Sequence, residues 1–305
     1  MNVLIIGLGS IGRKHVDALK KIEPKVVIFA LRNSMSADAY LDVNNIYTIS
    51  DLKSKIDFVI ISNITSEHEK SILQTIELNC PIFIEKPVLN STINAESLSQ
   101  KLLSNNILTY VACNLRFHPA IQFFSNYLKS HDLKINEVNI YSGSFLPEWR
   151  KGKNFREIYS SNKELGGGVH LDLIHEIDYC IWLFGFPGKV INVQRNVSTL
   201  EIDACDSANY IMQYPKFTAT INLNYYRRDK KRQIEILTED ATILIDLEKN
   251  SITNLVTNEI LFTTNFNILE TYLHQMNYFI SNIISNKQPM NSFFEAVKIL
   301  KLATT

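Results

Sequence analysis

The chain has 305 residues, 46% of them hydrophobic and 20% charged, enough for about two globular domains. Lys+Arg and Asp+Glu are equal at 31, and a net charge of zero argues against a nucleic-acid-binding surface. No apolar stretch approaches the roughly 20 residues of a membrane span, and the N-terminal run MNVLIIGLGS lacks the features of a signal peptide.

Taken in chain order, apolar runs rich in Val, Ile and Phe at 2–7, 26–31, 58–62, 81–85 and 108–113 alternate with amphipathic segments such as 11–21 and 67–78. Solid apolar strands separated by helices predict a doubly wound parallel sheet, a Rossmann domain over residues 1–120. Between the first strand and the first helix lies Gly7-Leu8-Gly9-Ser10-Ile11-Gly12, the GxGxxG pattern in the context its chemistry needs. The first glycine makes the turn, the second admits a pyrophosphate and the third lets helix and strand close. The helix N-terminus offers unpaired N–H groups to the anion. About 20 residues on, an NAD site usually places a carboxylate on the ribose 2′-hydroxyl. Here Arg32, Asn33 and Ser34 stand instead, and an arginine suits a 2′-phosphate, so NADP is expected over NAD.

After the 58–62 strand, Ser62, Asn63, Thr65 and His68 are candidate cofactor contacts, because the carboxyl ends of parallel strands face the ligand crevice. Thr65 or Ser66 also suits the N-cap of the helix that follows. The 81–85 strand ends in Glu85-Lys86-Pro87. Charges on a core strand call for a reason. Both lie where open sheets bind ligands, and Pro87 restricts the backbone of the residue before it. A partly desolvated lysine there stabilises a developing alkoxide beside a substrate hydroxyl.

Beyond Pro119 the pattern turns to alternating strands at 137–145, 190–197, 208–214, 219–225, 233–238 and 242–247. Alternation with short turns predicts a large open, mainly antiparallel sheet in a second α/β domain over 121–305. Its closing helices, over 269–303, are free to pack back on the first domain. The basic run at 227–232 suits a solvated strand end or a small anion. Four cysteines without a CxxC pair are expected to be reduced thiols of a cytoplasmic protein.

The segment 166–185 has a strong helical pattern. On a wheel, Leu173, Ile174, Ile177, Ile181 and Phe184 share one face, and Asp172, His175, Glu176 and Tyr179 share the other. These four are expected to face a cleft, with Tyr179 as a substrate contact. His175 is the natural acid/base, with Asp172 orienting it or bonding a substrate hydroxyl. His170 falls on the apolar side as a packed or backbone-bonded residue. The pair at 175–176 lacks the second histidine of HExxH, so no zinc is expected. The stretch SFLPEWRKGKNFREIYS, 144–160, offers Trp149, Arg150, Arg156 and Tyr159 as stacking surface and anion forks. It suits a substrate loop for a polar or anionic sugar derivative, or a structural or subunit-interface segment.

Five motifs together resemble the Gfo/Idh/MocA family (glucose–fructose oxidoreductase, inositol dehydrogenase and relatives): GLGSIGRKH at 7–15, NITSEH at 63–68, EKP at 85–87, NLRFHP at 114–119 and GGGVHLDLIHEIDYCIWLFG at 166–185. The resemblance implies hydride transfer between NAD(P) and a sugar, cyclitol or sugar-nucleotide derivative. It makes Lys86 the active-site lysine, places Glu85 with it at the cofactor, and sets the 114–119 segment beside the nicotinamide. Asn114 is then a candidate for substrate and Arg116 for cofactor, against ordinary interdomain hydrogen bonding for both. It also implies a homodimer or homotetramer built through the antiparallel sheet. One departure is visible: inositol-dehydrogenase-like members place the aspartate four residues before the histidine, where this chain has Leu171. A non-catalytic NAD(P)- or sugar-sensing protein of the same fold, and a biliverdin-reductase-like enzyme, are the alternatives.

Overall fold

In the computed structural model, which describes residues 1–36 and 38–304, the early apolar runs become strands of one sheet. β1 (Asn2–Ile6), β2 (Val27–Leu31), β3 (Asn44–Ile46), β4 (Phe58–Ile61), β5 (Ile82–Glu85) and β6 (Thr109–Ala112) are ordered β3-β2-β1-β4-β5-β6. Every pairing is parallel, with Val3 opposite both Ile28 and Phe58. All residues of β4, β5 and β6 are buried, which is why their sequences are solid rather than alternating. β3 escapes the sequence pattern because Asn-Asn-Ile brings a single apolar side chain to the sheet edge.

α1 (Ser10–Ile22), α2 (His68–Thr75) and α3 (Ala95–Ser104) cover the strands. The buried residues of α1 include Gly12, His15, Val16 and Leu19, the stripe a helix lays on a core. The strand order reverses between β1 and β4, so the crevice beyond their carboxyl ends is the ligand position of this topology.

The next elements are α4 (Pro119–Ser130), β7 (Ile135–Gly143), α5 (Val169–Asp172), α6 (His175–Phe184), β8 (Lys189–Arg195), β9 (Ser207–Gln213) and β10 (Thr218–Asn224). β11 (Lys231–Thr238), β12 (Thr242–Asp246), β13 (Ser251–Asn254) and β14 (Glu259–Thr263) follow. These strands form an eight-stranded sheet, β14-β13-β12-β11-β7-β10-β9-β8, antiparallel except where β7 and β10 run parallel. Ala219, Ile221, Leu223, Ile234 and Ile236 bury one face. On the other face Ile191 and Ile211 pair in register and are both more than 40% exposed.

The single helix expected over 166–185 is two. After Leu171 the bonding tightens to Ile174 N–H donating to Leu171 O and Glu176 N–H to Leu173 O, before α6 resumes. Leu171, Leu173, Ile174 and Ile177 are all buried, and the jog between the helices accommodates what one straight stripe does not.

The chain forms two compact units, Met1–Asn114 with Ile268–Leu300, and Leu115–Asn267 with the residues from Lys301 on. α7 (Glu270–Ile284) packs on α1 and sets Phe279 edge-on to Phe58 and Phe83. Asn291, just before α8 (Phe293–Thr304), brackets Val111 of β6 with two hydrogen bonds of 2.8 and 2.9 Å.

Candidate cofactor cradle and catalytic side chains

The turn after β1 separates the three glycines by function. A Cβ on Gly7 would lie 2.3 Å from Asn63 N, and its φ of +96° is a glycine conformation. A Cβ on Gly12 would lie 2.2 Å from Gly7 O, so that glycine lets α1 close on the strand. Among the described residues, a Cβ on Gly9 would meet nothing within 4 Å. Gly9 occupies the N-cap position of α1 and offers no side chain to its first-turn N–H groups. Leu8 is buried below the turn, Ile11 is half-buried and Ser10 is exposed. The residues present therefore fit a dinucleotide pyrophosphate.

Around this turn the predicted contacts divide. Ser62 Oγ donates to Gly7 O at 2.8 Å and braces the glycine turn from beneath. Asn63 donates to Ser71 Oγ at 2.9 Å, while its buried Oδ1 has no partner among the described residues. That idle acceptor beside the Gly7 turn is a ligand signal. Thr65 is buried and opens the helical turn Thr65–Glu67, with Ile64 in the cap position. Glu67 stands at the cap of α2 without a side-chain bond, so the N-cap expected of Thr65 or Ser66 is corrected. His68, expected at the cofactor, is instead a buried brace whose ring nitrogens face Val88 O and Asn63 O at 3.2 and 3.3 Å. Burial lowers its pKa against the pull of those carbonyls. Arg32 leaves β2 half-buried, its Nη1 donating to Asp38 O and Asn45 Oδ1, both at 3.3 Å. Asn33 and Ser34 beside it are exposed.

At the end of β5, Glu85 is buried and Lys86 half-buried, and the Lys86–Pro87 bond is cis. Glu85 Oε1 bonds His15 Nε2 at 2.6 Å, and Oε2 accepts the Lys86 N–H at 3.2 Å. His15 lies wholly inside α1, edge-on to Phe83. In the sequence it is one letter of the motif, with nothing to mark Glu85 as its partner. Burial lowers the Lys14 pKa, opposed by Glu85, and its ammonium stands over the Tyr272 ring. Asn114 is buried, donating to Thr271 Oγ1 at 2.7 Å.

In the second unit, Asp172 Oδ2 accepts from Tyr225 Oη at 2.6 Å. Tyr225 follows β10, is fully buried, and desolvation followed by the Asp172 charge holds its pKa well above the usual value, so it stays a donor. Trp149 meets the Tyr225 ring edge-on and donates Nε1–H to Ser144 Oγ at 2.9 Å. The fold thus brings the aromatic loop to Asp172 through Tyr225, which carries no motif; its one sequence signal is an aromatic at a strand end. His175 begins α6 and is buried. Tyr159 donates to Gly166 O at 2.8 Å, Arg150 is exposed, and Arg156 turns to Glu201 at 3.6 Å and to the Phe155 ring.

Three expectations for the second unit are corrected. Glu176, expected to face a cleft, is fully buried and paired with Arg232 at 2.6 Å. Tyr179, expected at the substrate, is fully buried in the core. Arg116, expected at the cofactor, is buried in a two-point pair with Asp178 at 2.8 and 2.9 Å. α6 is buried on nearly all sides, and its Glu176 and Asp178 face ion-pair partners within the unit. His170 is half-buried, and desolvation lowers its pKa to about 4, opposed by Asp172. Among the described residues no three His, Cys, Asp or Glu side chains are grouped to hold a metal ion, and no helix is long and apolar enough to cross a membrane.

A parallel sheet in this order with an uncapped glycine cradle defines an NAD-binding Rossmann class of protein. A sequence profile described as an oxidoreductase family with NAD-binding Rossmann fold matches residues 1–112, and one for the GFO/IDH/MocA C-terminal domain matches 134–244. The chain belongs to the Gfo/Idh/MocA oxidoreductase family. It is 23% identical over 199 residues to a 4-carboxy-2-hydroxymuconate-6-semialdehyde dehydrogenase of Sphingobium sp., across 63% of this chain and 60% of that protein. The chain therefore matches less than two thirds of that relative's length. Among solved structures it is similar to a UDP-N-acetylglucosamine 3-dehydrogenase of Acidithiobacillus ferrooxidans, with TM-score 0.80, 20% identity, and 99% and 95% of the two chains covered. It is also similar to a levoglucosan dehydrogenase in complex with NADH and levoglucosan, with TM-score 0.87, 16% identity, and 99% and 95% covered. At these identities the structural likenesses establish the fold.

Proposed function

We propose that the chain is an NAD(P)-dependent oxidoreductase acting on a secondary alcohol or ketone of a sugar, cyclitol or sugar-nucleotide derivative. The observation that carries this is the Gly9 turn at the N-cap of α1, where no described residue comes within 4 Å of a Cβ position. Bound nicotinamide supplies the hydride acceptor or donor. Lys86, at the end of β5, stabilises the substrate oxygen as its proton leaves; His175 is the acid/base, and Asp172, held by Tyr225, orients substrate or imidazole. Trp149 supplies an aromatic wall for a sugar ring, with Arg150 next to it and Tyr159 on the same segment, and Asn114 a further polar contact. Arg32, with no carboxylate in its place, supports NADP over NAD. The names of the two similar structures support a sugar-type substrate. The open sheet face bearing Ile191, Val193 and Ile211 supports a homodimer or homotetramer, and four free cysteines suit a cytoplasmic setting.

The test is turnover with NADP and NAD against a panel of sugars, cyclitols and UDP-sugars, in wild type and Lys86→Ala. Wild type turns over at least one, and Lys86→Ala loses roughly two to four orders of magnitude while its dinucleotide affinity stays within about threefold. Full turnover in Lys86→Ala makes the lysine structural.

A further inference from the structure

We infer that His15 is a positioning residue for the cofactor: from inside α1 it holds the Glu85 carboxylate in place at the end of β5. This rests on the dinucleotide reading of the cradle.

His15 is completely buried, and its Nε2 lies 2.6 Å from Glu85 Oε1. Its Nδ1 is buried with no partner among the described residues. A carboxylate only accepts, so Nε2 is the nitrogen that donates to it. The proton faces the carboxylate, and Glu85 remains the acceptor of a short, charge-assisted bond. Phe83 at 4.8 Å and Tyr272 at 5.5 Å fix the ring on two sides.

A buried carboxylate without partners is costly and leaves its preferred rotamer or its charge. Glu85 has His15 on Oε1 and the Lys86 N–H on Oε2, and the neighbouring Lys14 feels its charge. Two consecutive residues of α1 thus attend to one carboxylate on β5. The same helix begins at the Gly9 turn. The phosphate end of the cradle and the strand end bearing Lys86 are joined through one side chain, and Glu85 is presented as a fixed acceptor for a ribose hydroxyl of the dinucleotide.

The alternative is that His15 only glues helix to strand. Glutamine at this position places an amide N–H near Nε2–H, whereas leucine fills similar volume with no donor. NADPH and NADH binding is measured by fluorescence titration on wild type, His15→Gln, His15→Leu, Glu85→Gln and the His15→Leu/Glu85→Gln pair, with melting temperatures for each. We expect His15→Leu to weaken the preferred dinucleotide about tenfold and His15→Gln to stay within about threefold of wild type. The double variant is expected to bind no more weakly than the weaker single one, because the two side chains act as a unit. Folded His15→Leu binding like wild type overturns the inference, as does additive loss without rescue by glutamine. Should His15→Leu not fold, Glu85→Gln decides: about tenfold weaker binding supports the inference and unchanged binding overturns it. Wild type that binds neither dinucleotide overturns the cofactor reading and this inference with it, whereas wild-type binding with indifferent variants overturns the inference alone.

Discussion

Gly7 and Gly9 stand two residues apart in one turn and are glycine for different reasons. At Gly7 any side chain collides with the backbone of Asn63, and φ is positive. At Gly9 no described residue comes within 4 Å of where a Cβ would stand. Gly7→Ala is therefore expected to lower the melting temperature by several degrees or prevent folding, through steric and left-handed strain. Gly9→Ala is expected to melt within about a degree of wild type and still lose dinucleotide affinity by tenfold or more. Equal thermal effects from the two would contradict this division, as would full dinucleotide affinity in Gly9→Ala. The motif was legible in the sequence because a phosphate turn demands glycine at fixed spacings. The identity of the residue beneath it was not. Their place after a parallel strand points Ser62, Asn63 and His68 to the ligand, yet Ser62 and His68 bond the backbone of neighbouring loops. A polar residue at a strand end suits either role, and only the position of the other loop decides.

At the scale of elements, the strands of the parallel sheet were readable because burial on both faces leaves solid apolar runs. The large sheet is readable as alternation, but β13, with Ile252 its one buried residue, and β14, with none, do not show a period of two. The segment 166–185 shows the limit. Helical spacing puts Asp172, His175, Glu176 and Tyr179 on one face and predicts a shared cleft for all four. The structure breaks the helix between Asp172 and His175 and buries Glu176 and Tyr179. Glu176 meets Arg232 across 56 residues of sequence, and Arg116 meets Asp178 across 62. A helical wheel carries no information on such distant partners, so a charge facing a buried ion pair looks like a charge facing a cleft. Tyr225, which bonds Asp172 across 53 residues, was missed for the same reason.

Over the whole molecule, the histidines set an acid limit. Burial lowers the pKa of His68, His118 and His170, the last to about 4 from an ordinary 6.5. The unfolded chain takes up these protons near the ordinary value, and the folded chain resists until lower pH. Stability is therefore full above about 6.5 and falls as pH drops toward 4, since the unfolded state binds more protons in that window. At about 1.4 kcal/mol per unit, His170 alone contributes up to roughly 3 kcal/mol of this loss. Denaturant midpoints are expected to fall between about pH 7 and about pH 5, and His170→Gln is expected to flatten the fall. A midpoint constant over that interval, or a slope untouched by His170→Gln, would contradict the burial of these rings as neutral species.

Dinucleotide binding at the Gly7–Gly12 turn, with Arg32 at the end of β2 selecting NADP, is the reading on which the proposed chemistry depends. Equilibrium titration of the wild-type protein with NADPH and with NADH, followed by nicotinamide fluorescence, tests it most directly. Both are expected to bind saturably, NADPH the tighter. Tighter NADH would remove the role given to Arg32, and saturable binding of neither would contradict the reading itself.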